Sequence, residues 1–169
     1  LTKVTIPEGV TFDKDDITVS DEETKIMHFT GEYVFFGCSR LAEVNLPDSV
    51  TLIGNYMFAN CISIEKVNFK NVRIIGDYAF TQPLSTSTER TLKNFNFESV
   101  ISIGEAAFAN NEVLSCEINA PVLESIGMYA FKDTNVSAVK APILKVIEDY
   151  AFNSVALRSN NSLKQIELT

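Results

Sequence analysis

Residues 41–61 read Leu41-Ala42-Glu43-Val44-Asn45-Leu46-Pro47-Asp48-Ser49-Val50-Thr51-Leu52-Ile53-Gly54-Asn55-Tyr56-Met57-Phe58-Ala59-Asn60-Cys61, and the fold is decided by how this stretch recurs. Its second half, Gly followed four residues later by Phe, returns as Gly31-Phe35, Gly54-Phe58, Gly76-Phe80, Gly104-Phe108 and Gly127-Phe131. Glu148-Phe152 is a sixth copy that lacks the Gly. Successive Phe lie 23, 22, 28, 23 and 21 residues apart. Two residues after the Gly position stand Tyr33, Tyr56, Tyr78, Ala106, Tyr129 and Tyr150, and these 5 Tyr are every Tyr in the chain. Chance placement does not produce that column, so an internal repeat sets the architecture.

The first half recurs as apolar-x-x-apolar-x-apolar. It reads Leu1-Val4-Ile6, Leu41-Val44-Leu46, Ile64-Val67-Phe69, Leu92-Phe95-Phe97, Val113-Cys116-Ile118, Val136-Val139-Ala141 and Leu163-Ile166-Leu168. Its closing alternation is that of a short half-buried strand. Pro7, Pro47 and Pro142 follow it, where a missing N–H is tolerated at a strand exit. A third apolar pair, such as Val50-Ile53 or Val72-Ile75, leads into the Gly. One unit of about 22 residues cannot bury both of its faces, whereas stacked units share a continuous core. Coils stacked at the strand spacing of about 4.8 Å place like residues in ladders. The Phe are expected inward as an offset stack, with Ala before Phe admitting a close, brief helical turn. The Gly is expected to take φ > 0.

The frame Leu41-x-x-Val44-x-Leu46-Pro47-x-x-Val50-x-x-Ile53-Gly54-x-x-Met57-Phe58-x-x-Cys61 resembles the BspA-like leucine-rich repeat, over nearly all of residues 1–169. Departures are Glu148 for Gly, and Pro83, Asn111, Thr134 and Val155 where Cys38 and Cys61 stand in other copies. The resemblance implies a right-handed leucine-rich-repeat solenoid, here of about seven coils of short parallel strands and brief helical turns. It further implies a non-catalytic module on a cell surface or outside the cell, binding an extracellular or host protein. The resemblance brings no catalytic or ligand-contact motif onto residues of this chain.

Composition agrees with a binding or structural role. Hydrophobic residues are 46% and charged residues 21% of 169, which excludes wholesale disorder. A net charge of −8 argues against nucleic acid and against anionic lipid as partners. No apolar run approaches the roughly 20 residues that span a bilayer. No secretory leader is read at the start, which opens Leu1-Thr2-Lys3-Val4 in patterned sequence. The single His28 lies in an irregular stretch, a poor place for a preorganised base, and Asp15-Asp16 and Glu22-Glu23 are merely adjacent. Three scattered Cys with one His match no zinc spacing, and no EF-hand spacing is present, so no metal or other cofactor is expected. Cys38, Cys61 and Cys116 are read as buried free thiols, because ladder neighbours point the same way and bridge poorly. Asn135-Val136-Ser137 and Asn160-Asn161-Ser162 are glycosylation triplets with meaning only in a eukaryotic secretory setting.

The chain is read as a single solenoid with insertions near 13–30, 83–90 and 156–162. The first is acidic and carries two alternating stretches, Ile17-Thr18-Val19 and Lys25-Ile26-Met27-His28-Phe29, which suit a projecting hairpin or an enlarged coil. Leu1 begins inside a repeat and Thr169 follows directly on a strand, so a portion of a longer protein is expected. The outward strand positions form a candidate binding face: Lys3, Glu43, Asn45, Lys66, Asn68, Asn94, Asn96, Glu117 and Lys140. One column runs Lys3, Glu43, Lys66, Asn94, and opposite neighbours can pair across strands. This face has no aromatic residue, while binding hot spots favour Trp, Tyr and Arg. It is therefore either a solvated, non-aggregating sheet or a polar, wet contact surface. A glycan partner has no specific support in these residues. Two functions follow: an adhesion or protein-binding module, and a passive spacer that holds another domain away from the cell.

Overall fold

A computed structural model of the protein describes residues 2–7, 31–67, 70–83, 95–111, 117–153 and 165–168. Eleven short strands lie among them: β1 (Lys3–Thr5), β2 (Glu43–Asn45), β3 (Leu52–Ile53), β4 (Lys66–Val67), β5 (Ile74–Ile75), β6 (Ser102–Ile103), β7 (Glu117–Asn119), β8 (Ser125–Ile126), β9 (Ala138–Lys140), β10 (Val146–Ile147) and β11 (Gln165–Glu167). All pairings are parallel. The first strand of each repeat builds two three-stranded sheets, β1-β2-β4 and β11-β9-β7, and the second strand builds one five-stranded sheet, β10-β8-β6-β5-β3. This is a parallel-strand solenoid, and the five-stranded sheet records five successive rungs of it directly.

The core is the ladder that the Phe spacing requires. Phe35, Phe58, Phe80, Phe108, Phe131 and Phe152 form one continuous stack, with centroids 5.2–5.3 Å apart. Around them Val44, Val67 and Ile118 from the first strands, and Ile53, Ile75, Ile103 and Ile126 from the second, are buried. Ile147, next in that second column, is 41% exposed, because no further rung covers it among the described residues.

Two local expectations give way to the geometry between coils. The Tyr-Ala-Phe segments are successive turns, with no helix among the described residues. Their N–H groups alternate: Tyr56, Phe58 and Asn60 donate to Asp77, Ala79 and Thr81 of the next coil. The N–H groups of Met57, Ala59 and Cys61 donate locally, to Gly54, Tyr56 and Phe58. A helix would consume every N–H within one segment; here half of them join coils instead.

The positive φ falls on the aromatic residue, not on the glycine. Tyr33, Tyr56, Tyr78, Ala106, Tyr129 and Tyr150 have φ of 48–60°, whereas Gly31 alone of the five turn glycines is positive. Four residues later, Gly37, Asn60, Asn110 and Asp133 are again left-handed, and Gly, Asn and Asp are the types that tolerate this. Glycine is needed at Gly76 and Gly104 for close approach. A Cβ on Gly76 would stand 2.5 Å from Asn55 Oδ1 and 2.9 Å from Asn55 N, and one on Gly104 would stand 2.8 Å from the backbone of Gly76 and Asp77.

The frame of the fifth copy also shifts. Ile118, not Cys116, takes the central inward place: Ile118 pairs with Val139 and Asn119 with Lys140. The repeat there reads Ile118-Asn119-Ala120-Pro121, matching Val44-Asn45-Leu46-Pro47, and Asn119 is an outward position that the frame on Val113 overlooks. The proposed hairpin within 13–30, residues 84–90, residues 154–164, His28 and Cys116 lie outside the described residues.

Candidate binding surface

Each coil turns outward at the strands and again at the turn that carries Tyr, so two surfaces require comparison. On the strand side, Lys3 pairs with Glu43 and Glu43 with Lys66 in register, as the column requires. Lys3 Nζ lies 3.0 Å from Glu43 Oε1, and Asn45 Nδ2 donates to the same oxygen at 3.3 Å. The Lys3 and Asn45 donors hold the Glu43 carboxyl below its usual range. On the other three-stranded sheet, Lys140 bridges to Glu117, and this contact pushes the Lys140 ammonium above its usual range. Asn96 Oδ1 accepts the Glu98 N–H at 2.9 Å and so serves a local turn. Asn68 and Asn94 lie outside the described residues. The candidate strand-face residues are thus brought together in part, and their charges are largely spent on one another.

The turn side presents something different. Tyr33 stacks on Tyr56 at 4.8 Å and 4°, and Tyr56 on Tyr78 at 4.9 Å and 2°. Beyond Ala106 the stack resumes with Tyr129 on Tyr150 at 5.2 Å and 12°. Tyr33 is 53% exposed and Tyr150 58%, while the rungs between them are half-buried by their neighbours. The left-handed backbone at each rung sets this direction: it turns Tyr outward while Phe, two residues on, enters the core. Tyr78 donates its hydroxyl to Glu105, which pushes its phenol up to about 12. Lys132 Nζ stands 5.6 Å from the centroid of the Tyr129 ring. Placing these tyrosines in a helical turn beside the Phe misses this surface, although the strict column of Tyr at one repeat position is its signal.

A ladder of side chains beside the glycines ties the coils. Asn55 Nδ2 donates to Glu32 at 3.0 Å, Asn55 Oδ1 accepts the Asp77 N–H at 2.8 Å, and Asp77 Oδ1 accepts the Glu105 N–H at 2.8 Å. Where the glycine is lost, Glu148 reaches back instead and accepts the Met128 N–H at 2.9 Å. Leu52, Ile74 and Ser102 floor a shallow groove along this ladder. At the Cys position, Cys61 Sγ donates to the Phe35 carbonyl at 3.0 Å, Asn111 Nδ2 to the Phe80 and Phe108 carbonyls at 2.8 Å, and Thr134 Oγ1 to the Phe131 carbonyl at 2.8 Å. Asn111 thus keeps the bond of Cys61 to the Phe carbonyl of the preceding coil and adds one to the Phe carbonyl of its own coil, and Thr134 makes the own-coil bond. Cys38 and Cys61 are free thiols, and burial pushes Cys61 up to about 12. Among the described residues, no three His, Cys, Asp or Glu side chains gather as metal ligands would, and no helix is long and apolar enough to cross a membrane.

Parallel coils with an inward apolar frame and two short strand columns, one from each strand of the repeat, define a leucine-rich-repeat solenoid. The model of the BspA type leucine rich repeat region matches residues 15–91 and 86–168, in 6 copies. The chain belongs to that family. Among solved structures it is similar to the crystal structure of a leucine-rich repeat protein from Bacteroides ovatus, with 26% identity and a TM-score of 0.70. The similarity covers 99% of this chain and 37% of that one, so this chain spans well under half of its structural neighbour's length. No curated protein matches the sequence.

Proposed function

We propose that the chain is a non-catalytic protein-binding module that works at a cell surface or outside the cell, on an extracellular or host protein. The observation that carries this reading is the solvent-facing column of stacked tyrosines. Tyr brings large, rigid, amphipathic area at small entropic cost, and it is enriched among residues that dominate binding energy. Membership in a repeat family often used for protein interaction supports the same reading. The strand face, with Lys3–Glu43 and Lys140–Glu117 paired internally, acts as a solvated flank rather than the anchor. A passive spacer is the second reading, favoured by that self-satisfied strand face.

The test is a label-free binding screen of the folded chain against extracellular-matrix proteins, mucins and a glycan panel, at low and physiological salt, with and without calcium. The module reading expects saturable binding to a protein at physiological salt. Binding that vanishes as salt is raised to that level, or no saturable binding across the panel, supports the spacer.

A further inference from the structure

The shallow groove beside the glycine ladder joins an apolar floor to an acidic wall. Leu52 and Ile74 are register neighbours on β3 and β5, and they point outward while Ile53 and Ile75 enter the core. Ile74 is 47% exposed, so this floor is open to solvent. The column passes on to Ser102, whose hydroxyl accepts that of Ser125 at 2.9 Å. Glu32, Asn55 and Asp77 line the groove beside the floor, and Glu105 continues their column on the next coil. The tyrosine column runs just beyond this wall, joined to it where the Tyr78 hydroxyl donates to Glu105.

Elsewhere the chain meets its acids with its own lysines. Glu43 and Glu117 pair with Lys3 and Lys140, and Asp48 and Glu124 with Lys70 and Lys145. Among the described residues, no Lys or Arg lies within ion-pairing distance of Glu32, Asp77 or Glu105. One oxygen of each accepts a neutral donor instead: Asn55 Nδ2, the Glu105 N–H and the Tyr78 hydroxyl. Burial, then the Tyr33 phenol, then the charges of Glu105, Asp77 and Glu32 raise the Tyr56 phenol, so the three carboxylates act on one stretch of the wall. A net charge of −8 sets a second copy of the chain against this groove, and phosphate-bearing partners are repelled in the same way. We infer that the groove takes an extended basic segment of a protein partner, whose apolar side chains rest on Leu52 and Ile74 while its Arg or Lys meet the carboxylates of Glu32, Asp77 and Glu105. Arg suits this wall better than Lys, because its planar fork bonds a carboxylate through two N–H groups and stacks on aromatic rings. The inference rests on the protein-binding reading and supplies the chemistry of the partner.

The probe is a capped octapeptide of alternating Arg and Leu, followed by the methyl shifts of Leu52 and Ile74 in the folded, isotope-labelled chain. Peptides with Glu in place of Arg, and with Ser in place of Leu, are the comparisons. The groove predicts saturable shifts at both methyls that weaken but persist from low to physiological salt. The combined variant Glu32→Gln, Asp77→Asn, Glu105→Gln keeps each acceptor oxygen and removes only charge. It should lower affinity by about tenfold or more, whereas Glu65→Gln on the strand side should change it by about twofold or less. Ile74→Ser, at an exposed position, should weaken binding several-fold with the melting temperature unchanged, and so tests the floor even if the combined variant fails to fold. No saturable shift, equal affinity of the Glu or the Ser peptide, or binding unchanged in Ile74→Ser or in a folded combined variant would overturn the groove. A protein partner from the screen that binds the folded combined variant as tightly as the wild type also overturns it, and leaves the protein-binding reading intact. A wild-type chain that binds the peptide in this pattern but no protein removes that reading alone.

Discussion

Replacing Phe108 with Ala removes the most enclosed rung of the core stack. Its ring is wholly buried and lies face to face with Phe80 at 5.2 Å and Phe131 at 5.3 Å. It also meets the edges of Phe95 at 5.4 Å and Phe97 at 5.7 Å. Losing about 100 Å² of buried apolar surface costs roughly 2.5 kcal/mol at 25 cal/mol per Å². Each ring pair adds about 0.5–1.5 kcal/mol, and the neighbouring coils, pinned by the N–H bonds of Phe80 to Ala107 and Phe108 to Ala130, cannot close the hole. The expected loss is therefore at the upper end of the ~3–5 kcal/mol seen for buried Phe→Ala. Urea unfolding followed by far-ultraviolet circular dichroism reads it as a fall in midpoint. A fall in the slope m would mean that the array unfolds in two parts about the damaged coil. Phe36→Ala is the control, since Phe36 is 47% exposed and should cost about 1 kcal/mol or less. A Phe108→Ala loss below about 1 kcal/mol with m unchanged would refute the shared Phe stack.

Three further outcomes follow from the contacts between coils. Gly104→Ala should destabilise by about 2 kcal/mol or more, because the new Cβ meets the backbone of Gly76 and Asp77, which cannot yield as a flexible side chain would; an unchanged melting temperature would contradict that packing. Asn111→Ala should cost about 1–3 kcal/mol by stripping buried carbonyls of their donor, and Asn111→Thr should recover part of it if Thr134 does the same work; denaturation of both variants decides. The Glu43 carboxyl should titrate below 4.5 in the folded chain, so its contribution to stability is present above that value and lost as the pH falls through the folded one. Carboxyl-detected resonance titration of the wild type and Lys3→Met checks this, and the depression should shrink in the variant.

The elements legible from sequence are those fixed by burial. Phe, Val and Ile recur at fixed steps because each coil must offer the same apolar residues to the same core, and the Phe ladder and strand columns follow. What sequence hides is the partner of each backbone group. Tyr56 gives no local sign of a left-handed φ; its N–H is held by Asp77 of the next coil, and that bond makes the conformation tolerable. Gly76 and Gly104 are read as turn glycines from sequence, yet their constraint is a neighbouring backbone 21 or more residues away. The shift at Ile118 escapes detection because Cys116 and Ile118 are both apolar and two apart, and alternation accepts either as the central strand position. Asn111 looks like a departure from Cys, yet it donates to the Phe carbonyl of the preceding coil as Cys61 does, a likeness of function that composition does not express, while Thr134 serves the Phe carbonyl of its own coil. For the candidate site, charge on the strand face was legible, but its mutual pairing and the outward aim of the tyrosines follow from register and φ.

The central claim is that binding, where it occurs, is anchored on the tyrosine column and not on the strand face. The direct measurement is the dissociation constant of a captured protein partner for the wild type, Tyr129→Ser and Lys140→Ser, each verified as folded. The account predicts a loss of at least about tenfold for Tyr129→Ser, as befits a truncated aromatic anchor, and about twofold or less for Lys140→Ser. A large loss for Lys140→Ser with Tyr129→Ser unchanged would contradict it and return the site to the strand face.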